Sequence, residues 1–487
     1  MVAISNRKSI LTIKKESVKG EIEASTKADA TAIQDGFEMS AEFGELESEE
    51  LSGSLGAAKG DIGAEAPTAS LSHYMRGSGV EGEEVDFGLL LEGALGGKTA
   101  APAVEPTTTA GSTTEVLKTA GAFERGQAVL VKDGANGFNV RNILSVAGMD
   151  KSLAQILKTA PATGVKLGRP VLYKPNDEYP AFTLNLLRGD GGAREVMTEG
   201  YITEASLEAT AREYFNGSFS FAGRGYFFNP VIVLGSETFE VDTDEVTLRK
   251  GQYKDPHDFA AMVQSVIRGA GNDKDETVTY DDKTGKFTIK ANAAFQVDFS
   301  GAGQDAAGKL LGFGATDNSA ATEYTSPNAI NLSLDGALDY DPQGPVVAKN
   351  VEILLGDKED TECFNASSMT ATITNTRAES LDMCSESGGG ESRISERVIE
   401  IEMSALLQKY DVDKFRRFRE GESTMFTANF GSKRGGNWEP GKVVNLFSPT
   451  AAIKSFGISD ADGLAQLDIT LRCYSQDGLG EFYVNTL

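Results

Sequence analysis

The sequence predicts a mostly β chain: two β-barrel or β-sandwich domains, each with a long hairpin and a short helix, and a small α+β domain inserted between them. Three observations predict it. Short stretches of alternating apolar and polar residues recur from end to end. Glycine is abundant, 54 of 487 residues, and proline modest at 14, the mix expected where many strands are joined by tight turns. A hydrophobic fraction of 40% is enough for packed cores. At roughly 150 residues per domain the length suits about three domains.

Residues 1–35 are polar and mixed, and read as an N-terminal arm that is ordered only when docked. The first β domain is expected over 36–230. Leu51, Gly53 and Leu55 alternate with Ser52 and Ser54, and Ala69, Leu71, His73 and Met75 alternate with Ser70, Ser72 and Tyr74, so a long hairpin with one polar face is expected around Gly60 and Gly63. Phe87, Leu90, Leu91, Ala94 and Leu95 recur at helical spacing. Residues 98–115 and 155–180 read as loops, and strands are expected at Phe182–Leu186, Tyr201–Arg212 and Ser218–Phe221.

The inserted domain is expected over 231–342. Val231–Leu248 reads as two strands. Asp255-Pro256 then opens a helix, Asp as N-cap and Pro in the first turn, with an apolar stripe from Phe259 to Ile267 and Gly269 at its end. A hairpin turns at Asp281–Gly285, and Phe295, Val297 and Phe299 make a further strand.

The second β domain is expected over 343–487. Met369, Ala371 and Ile373 alternate with Thr370, Thr372 and Thr374. After the Gly388–Gly390 turn, Arg397, Ile399, Ile401 and Met403 alternate with Val398, Glu400 and Glu402. A short helix from Asp411 carries Phe415 and Phe418, and strands follow at Met425–Phe430, Val443–Phe447, Ile453–Ile458 and Leu464–Tyr474. The outer domains share this order of hairpin, helix and strands, which predicts an internal duplication. Gly200–Thr210 also echoes the run from Ile458 to Asp468.

The net charge of −26 opposes binding to nucleic acid or to anionic membrane surfaces. Three cysteines, Cys363, Cys384 and Cys473, are too few for a disulfide framework and suit a reducing compartment. The start has no apolar block of a signal peptide, and no run of about 18 apolar residues marks a membrane span.

Motifs for chemistry are weak. His73 falls on the apolar face of a strand and His257 in the first turn of a helix; both read as structural. Gly-x-Ser-x-Gly and Cys-x-x-Cys do not occur. Gly93–Thr99 imitates the end of a phosphate-binding loop but has Glu92 where a glycine is needed. Asp460–Gly463 imitates a calcium loop, with Ile458 at the first ligand position, and reads as a turn. Arg188-Gly-Asp190 reads as a hairpin tip. Arg416, Arg417 and Arg419 form a basic cluster suited to pairing with acidic residues of a neighbouring subunit. No catalytic residue, metal or cofactor is expected, and the chain is read as structural rather than enzymatic.

The long hairpin in Glu45–Tyr74, the helix Val85–Leu95, and their later counterparts Met369–Met403 and Asp411–Glu420 resemble the tail tube (major tail) proteins of siphophages. Leu248–Tyr253, Thr279–Gly285 and Leu310–Phe313 resemble modules inserted in phage tail proteins. The resemblance covers most of residues 35–487. It implies a virion tail protein, assembled in the bacterial host cytoplasm, whose rings stack into a hollow conduit for DNA ejection. Two tube-type halves imply a trimeric, pseudo-hexameric ring, with the inserted domain outside. Implied partners are further copies of the chain, a tape measure protein, a tail terminator and distal tail proteins, with phage DNA passing through unbound. Ser52, Ser54, Ser70, Ser72, Thr370, Thr372, Glu400 and Glu402 are the residues turned toward the lumen on this reading. The N-terminal arm and the loops 98–115 and 155–180 are the expected contacts between rings. Two other readings stay open: another self-assembling virion component, such as a tail sheath or capsid-associated protein, or a carbohydrate-binding adhesin with Trp438 as its platform.

Overall fold

The computed structural model describes residues 6–46 and 61–487, apart from 136, 190–192, 234, 271–273, 302–303, 335, 339, 341–342, 357, 359–360, 384–388, 409–411, 477 and 479. Ser52, Ser54 and Asp190 therefore lie outside the described residues.

The chain opens with β1 (Ile10–Lys15), β2 (Ala30–Thr31), β3 (Glu38–Ser40), β4 (Phe43–Leu46), β5 (Asp61–Glu65), β6 (Thr68–Tyr74), α1 (Gly88–Leu95) and β7 (Gly96–Thr99). A separate four-stranded sheet follows: β8 (Val116–Lys118), β9 (Ala128–Asp133), β10 (Gly137–Ala147) and β11 (Asp150–Leu153), in the order β8-β11-β10-β9. The chain then returns through β12 (Val171–Pro175), β13 (Phe182–Arg188), β14 (Ala193–Thr210), β15 (Asn216–Ala222) and β16 (Gly225–Phe228).

The inserted unit holds β17 (Val231–Val233), β18 (Thr238–Val241), β19 (Asp244–Thr247), β20 (Gly251–Tyr253), α2 (Pro256–Gly269), β21 (Thr277–Asp281), β22 (Lys286–Asp298), α3 (Asp305–Leu310) and β23 (Asp317–Thr325). The last set is β24 (Glu352–Gly356), β25 (Thr361–Cys363), β26 (Ala366–Leu381), β27 (Gly389–Leu406), α4 (Val412–Glu420), β28 (Ser423–Arg434), β29 (Asn437–Ala461), β30 (Leu464–Cys473) and β31 (Tyr483–Thr486).

The pairings of the first set recur in the last. β13 joins β1 to β14 as β28 joins β24 to β29. β14 pairs β15 and β16 as β29 pairs β30 and β31. β6 sits between β3 and β15 as β27 sits between β26 and β30. Even the irregularities recur: register shifts at Phe182/Leu184 and Ile202/Glu204 are matched at Thr424/Phe426 and Ile453/Ser455. A bulge inserts a residue and re-aims a strand, so two bulges at matching places fix the correspondence residue by residue. Gly200 falls on Ala451 and Leu207 on Ile458, and the echo of Gly200 with Ile458 in the sequence is out of step with the fold.

One apolar core takes residues from both sets, among them Leu11, Leu71, Leu184, Phe219, Ile373, Ile401, Leu446 and Ile469. α1 is packed on every side: Leu90, Leu91, Ala94 and Leu95 are buried, and Gly93 lies so close to Phe182 that a Cβ would meet its ring at 2.6 Å. Gly96 ends the helix in the left-handed region, φ 96°, where glycine carries no steric cost. The inserted unit has its own core, centred on Phe239, Phe259, Phe287, Phe295 and Phe299. There α2 starts as expected, with the Asp255 carboxylate accepting from the backbone N–H groups of His257 and Asp258.

Several elements differ from expectation. Residues 10–15 of the arm are docked as a strand: β1 pairs β2 and β13, with Leu11 fully buried. β12 occupies part of the expected loop 155–180 and bridges β7 and β31. Val231–Thr247 makes three strands rather than two, and α3 is a further helix; α2 ends at Gly269 as expected, with Ala270 following as its cap. β22 and β29 are each one long strand where the sequence reads as two, because bulges break the alternation without ending the pairing.

Candidate assembly surface

β3, β6, β15, β14, β26, β27, β30 and β29 pair in that order into an eight-stranded antiparallel sheet, four strands from each set. The two sets meet at β14 and β26, where Leu207 faces Ala371 and Glu208 faces Thr370.

Side chains alternate across this sheet with little exception. One face is apolar and buried: Leu71, Phe219, Ala205, Ile373 and Ile399 form one row across five strands. The opposite face is polar, its residues ranging from partly buried to exposed. Ser72, Ser218, Ser206, Thr372, Glu400 and Arg472 form a row across it, and Glu208, Thr370, Glu402 and Thr470 form the next. Ser70, Ser220 and Glu204 make a third. Ser70, Ser72, Thr370, Thr372, Glu400 and Glu402, singled out from sequence, thus share one face. Glu204, Glu208, Ser218 and Asp468 join them. Their strands are legible as strands, but nothing local in sequence says that they lie beside the hairpins.

The face carries more acidic than basic charge. Lys454 pairs Glu400 at 2.6 Å. The Ser404 and Ser459 hydroxyls donate to Asp468, at 2.6 and 2.5 Å, and hold its carboxyl below the usual range. Small hydroxylic residues fill the space between the carboxylates, so the surface is smooth as well as negative.

Among the described residues the sheet is open at both ends: β3 pairs β6 on one side only, and residues 453–461 of β29 pair β30 on one side only. Unpaired N–H and C=O groups along an edge are a ready template for another strand. Ile458, on the β29 edge, is 61% exposed, whereas Leu207, its counterpart on β14, is 1% exposed beneath β26.

The remaining candidates are placed as follows. Arg416 pairs Glu420 at 3.0 Å and Glu422 at 3.2 Å within the chain, and Arg419 is exposed on the same helix. His73 is buried, with Nε2 3.2 Å from Asp86, and His257 lies 3.0 Å from Asp282. Lys98, in the imitation phosphate loop, pairs Glu84 and Glu92. Asp460–Gly463 is the β29–β30 turn, with the Gly463 N–H donating to Asp460. Trp438 is only 3% exposed, packed with Leu130 and Val140 under Lys433, and so offers no platform for a sugar. Among the described residues no group of three or more His, Cys, Asp or Glu could hold a metal, and no helix is long and apolar enough to cross a membrane.

This geometry defines a β-rich chain of duplicated pairing pattern, with a polar, acidic sheet face and two open sheet edges. No family model matches the chain, and no curated protein does. Among solved structures it is similar to the tube-terminating cap of the anti-feeding prophage, at 15% identity over 31% of this chain and 96% of that one, TM-score 0.23. It is also similar to the SPP1 tail tube, at 18% identity over 26% of this chain and 75% of that one, TM-score 0.19.

Proposed function

We propose that this chain is the repeating structural subunit of a phage tail tube, three copies to a ring, with no enzymatic role. The observation that carries the reading is the eight-stranded sheet: four strands from each of two like sets, apolar toward the core, acidic and hydroxylic on the other face, open at both edges. Three copies joined edge to edge supply about 24 strands. At a strand spacing of about 4.8 Å and a tilt of about 40°, these close a cylinder roughly 48 Å across between backbones, wide enough for an aqueous channel.

The acidic face then lines the lumen. DNA carries one charge per about 1.7 Å of axis, so a negative, small-side-chain wall lets it pass without capture. Rings stack head to tail, a heterologous contact that propagates as a filament. The inserted unit, with a core of its own, decorates the outside. A tape measure, a terminator and distal tail proteins are the partners this role entails, in a virion tail built inside the host cell.

Electron microscopy of the purified chain or of the particle that contains it tests the reading. Hollow tubes with three-fold rings and six-fold outlines support it. A solid wall, or compact particles with no lumen, sinks it.

A further inference from the structure

Two cavities in this molecule occupy matching places in the two sets, one with a wall that the other lacks. The first, about 320 Å³, lies at the β14–β26 junction. Lys349, Val351, Asn365, Met369 and Phe430 line it, and Ala209, Ala211 and Arg212, at and just past the end of β14, supply one wall. The second is a groove of about 810 Å³ along the free β3 edge, and Arg7, Ser9, Ile33, Phe37 and Arg188 are among its lining residues. By the correspondence that the repeated bulges and pairings fix, Arg7, Ser9, Phe37 and Arg188 are the counterparts of Lys349, Val351, Met369 and Phe430, and Ile33 falls at the Asn365–Ala366 step. The missing wall has counterparts too: Asp460, Asp462 and Gly463, in the β29–β30 turn. They stand on the opposite edge of the sheet, where their own chain's groove is out of reach.

We infer that the groove receives the β29–β30 turn of a second copy, in the register of the internal junction. The inference rests on the proposed tube and specifies its ring contact. Leu207 facing Ala371 translates to Ile458 facing Met39 of the next copy, and Glu208 facing Thr370 translates to Ser459 facing Glu38. Exposed Ile458 is thereby covered. Asp460 and Asp462 of the turn approach Arg7 and Arg188, the latter also paired to Glu195, in a groove whose lining also holds Asp35 and Glu38. At the internal junction the matching wall positions are Ala209 and Ala211. Opposite charges placed at two such points help to fix the register of the contact.

The test is a cysteine pair in a background with Cys363 and Cys384 changed to Ser. Glu38→Cys with Ser459→Cys places one thiol on each edge, both at exposed positions that leave the core untouched. Glu42→Cys with Ser459→Cys is the out-of-register control. Mild oxidation of the assembled protein is followed on a non-reducing gel beside electron microscopy. The expected result is a ladder ending at a covalent trimer, at least tenfold more abundant for the Glu38 pair than for the Glu42 pair. Tubes that form without this cross-link, or that favour the Glu42 pair, overturn the contact and leave the tube standing. A chain that neither assembles nor cross-links at high concentration overturns both.

Discussion

Glu16 is a carboxylate placed where a carboxylate is costly. Burial pushes its pKa up from the ordinary 4.5, and the nearby Glu199 carboxylate adds to this. Hydrogen bonds from the backbone N–H groups of Glu199 and Gly20 and from the Thr183 hydroxyl pull the other way. A carboxyl with a raised folded pKa binds its proton more tightly folded than unfolded, so its ionisation costs stability as pH rises from about the unfolded value through the folded one. Glu16→Gln removes that cost. The stability of the variant relative to the parent should therefore rise from pH 4 to pH 7, read from denaturant midpoints at each pH; a flat or falling difference would show that the hydrogen bonds dominate. Nothing in the sequence around Glu16 marks it as buried: its neighbours Lys14, Lys15 and Ser17 read as a solvated segment, and only the pairing of β1 with β13 encloses it. The polar lattice of Ser70, Thr372 and Glu402 is the opposite case, legible because strict alternation leaves each side chain only one face to occupy.

At the scale of elements, the β8–β11 sheet is pinned to the C-terminal set by a lattice of buried asparagines. Asn142 on β10 donates to Asn445 on β29 at 2.8 Å, Asn445 donates to Asn429 at 2.7 Å, and Asn485 donates to Asn445 at 3.0 Å. All four are fully buried. Asn445→Ala takes a hydrogen bond from each of three partners and leaves the side-chain oxygens of Asn142 and Asn429 without a donor, and each buried polar group left unpaired costs about 1–3 kcal/mol. A loss of roughly 3–5 kcal/mol is expected, read by urea unfolding with fluorescence of Trp438, which sits in the same contact. A loss under about 1 kcal/mol would mean the asparagines are not the pin. This docking was illegible in sequence because its partners are some 300 residues apart and asparagine signals turns before it signals a core. Hairpins and helices were legible because their periodicity is local. The order of strands was not, since pairing β14 with β26 is decided by which edges meet in space.

The whole molecule divides into a shared double-set core and the inserted unit with its separate one. Cutting out residues 230–333, the inserted unit with its β17, and closing the gap with a short Gly-Ser bridge should leave the eight-stranded sheet intact. Tubes of the shortened chain are expected to keep their lumen and lose outer diameter, measured by cryo-electron microscopy. A changed lumen, or the loss of assembly in a chain that still folds, would give the inserted unit a place in the wall. The capped amphipathic helix of this unit is legible in sequence because its signals are local, and Val231 and Val233 belong to the same core as that helix.

In the proposed ring the β14–β26 seam has one more effect, on the statistics of starting it. A seam made inside one chain is present as soon as the chain folds, whereas a seam between chains waits on collision and surrenders the free motion of another body, an estimated 4–15 kcal/mol each time. A ring of six single-set subunits spends that freedom five times and a ring of three double-set chains only twice. Rings of the duplicated chain should accordingly appear with the third power of its concentration rather than the sixth, so that a tube can begin while its protein is still scarce.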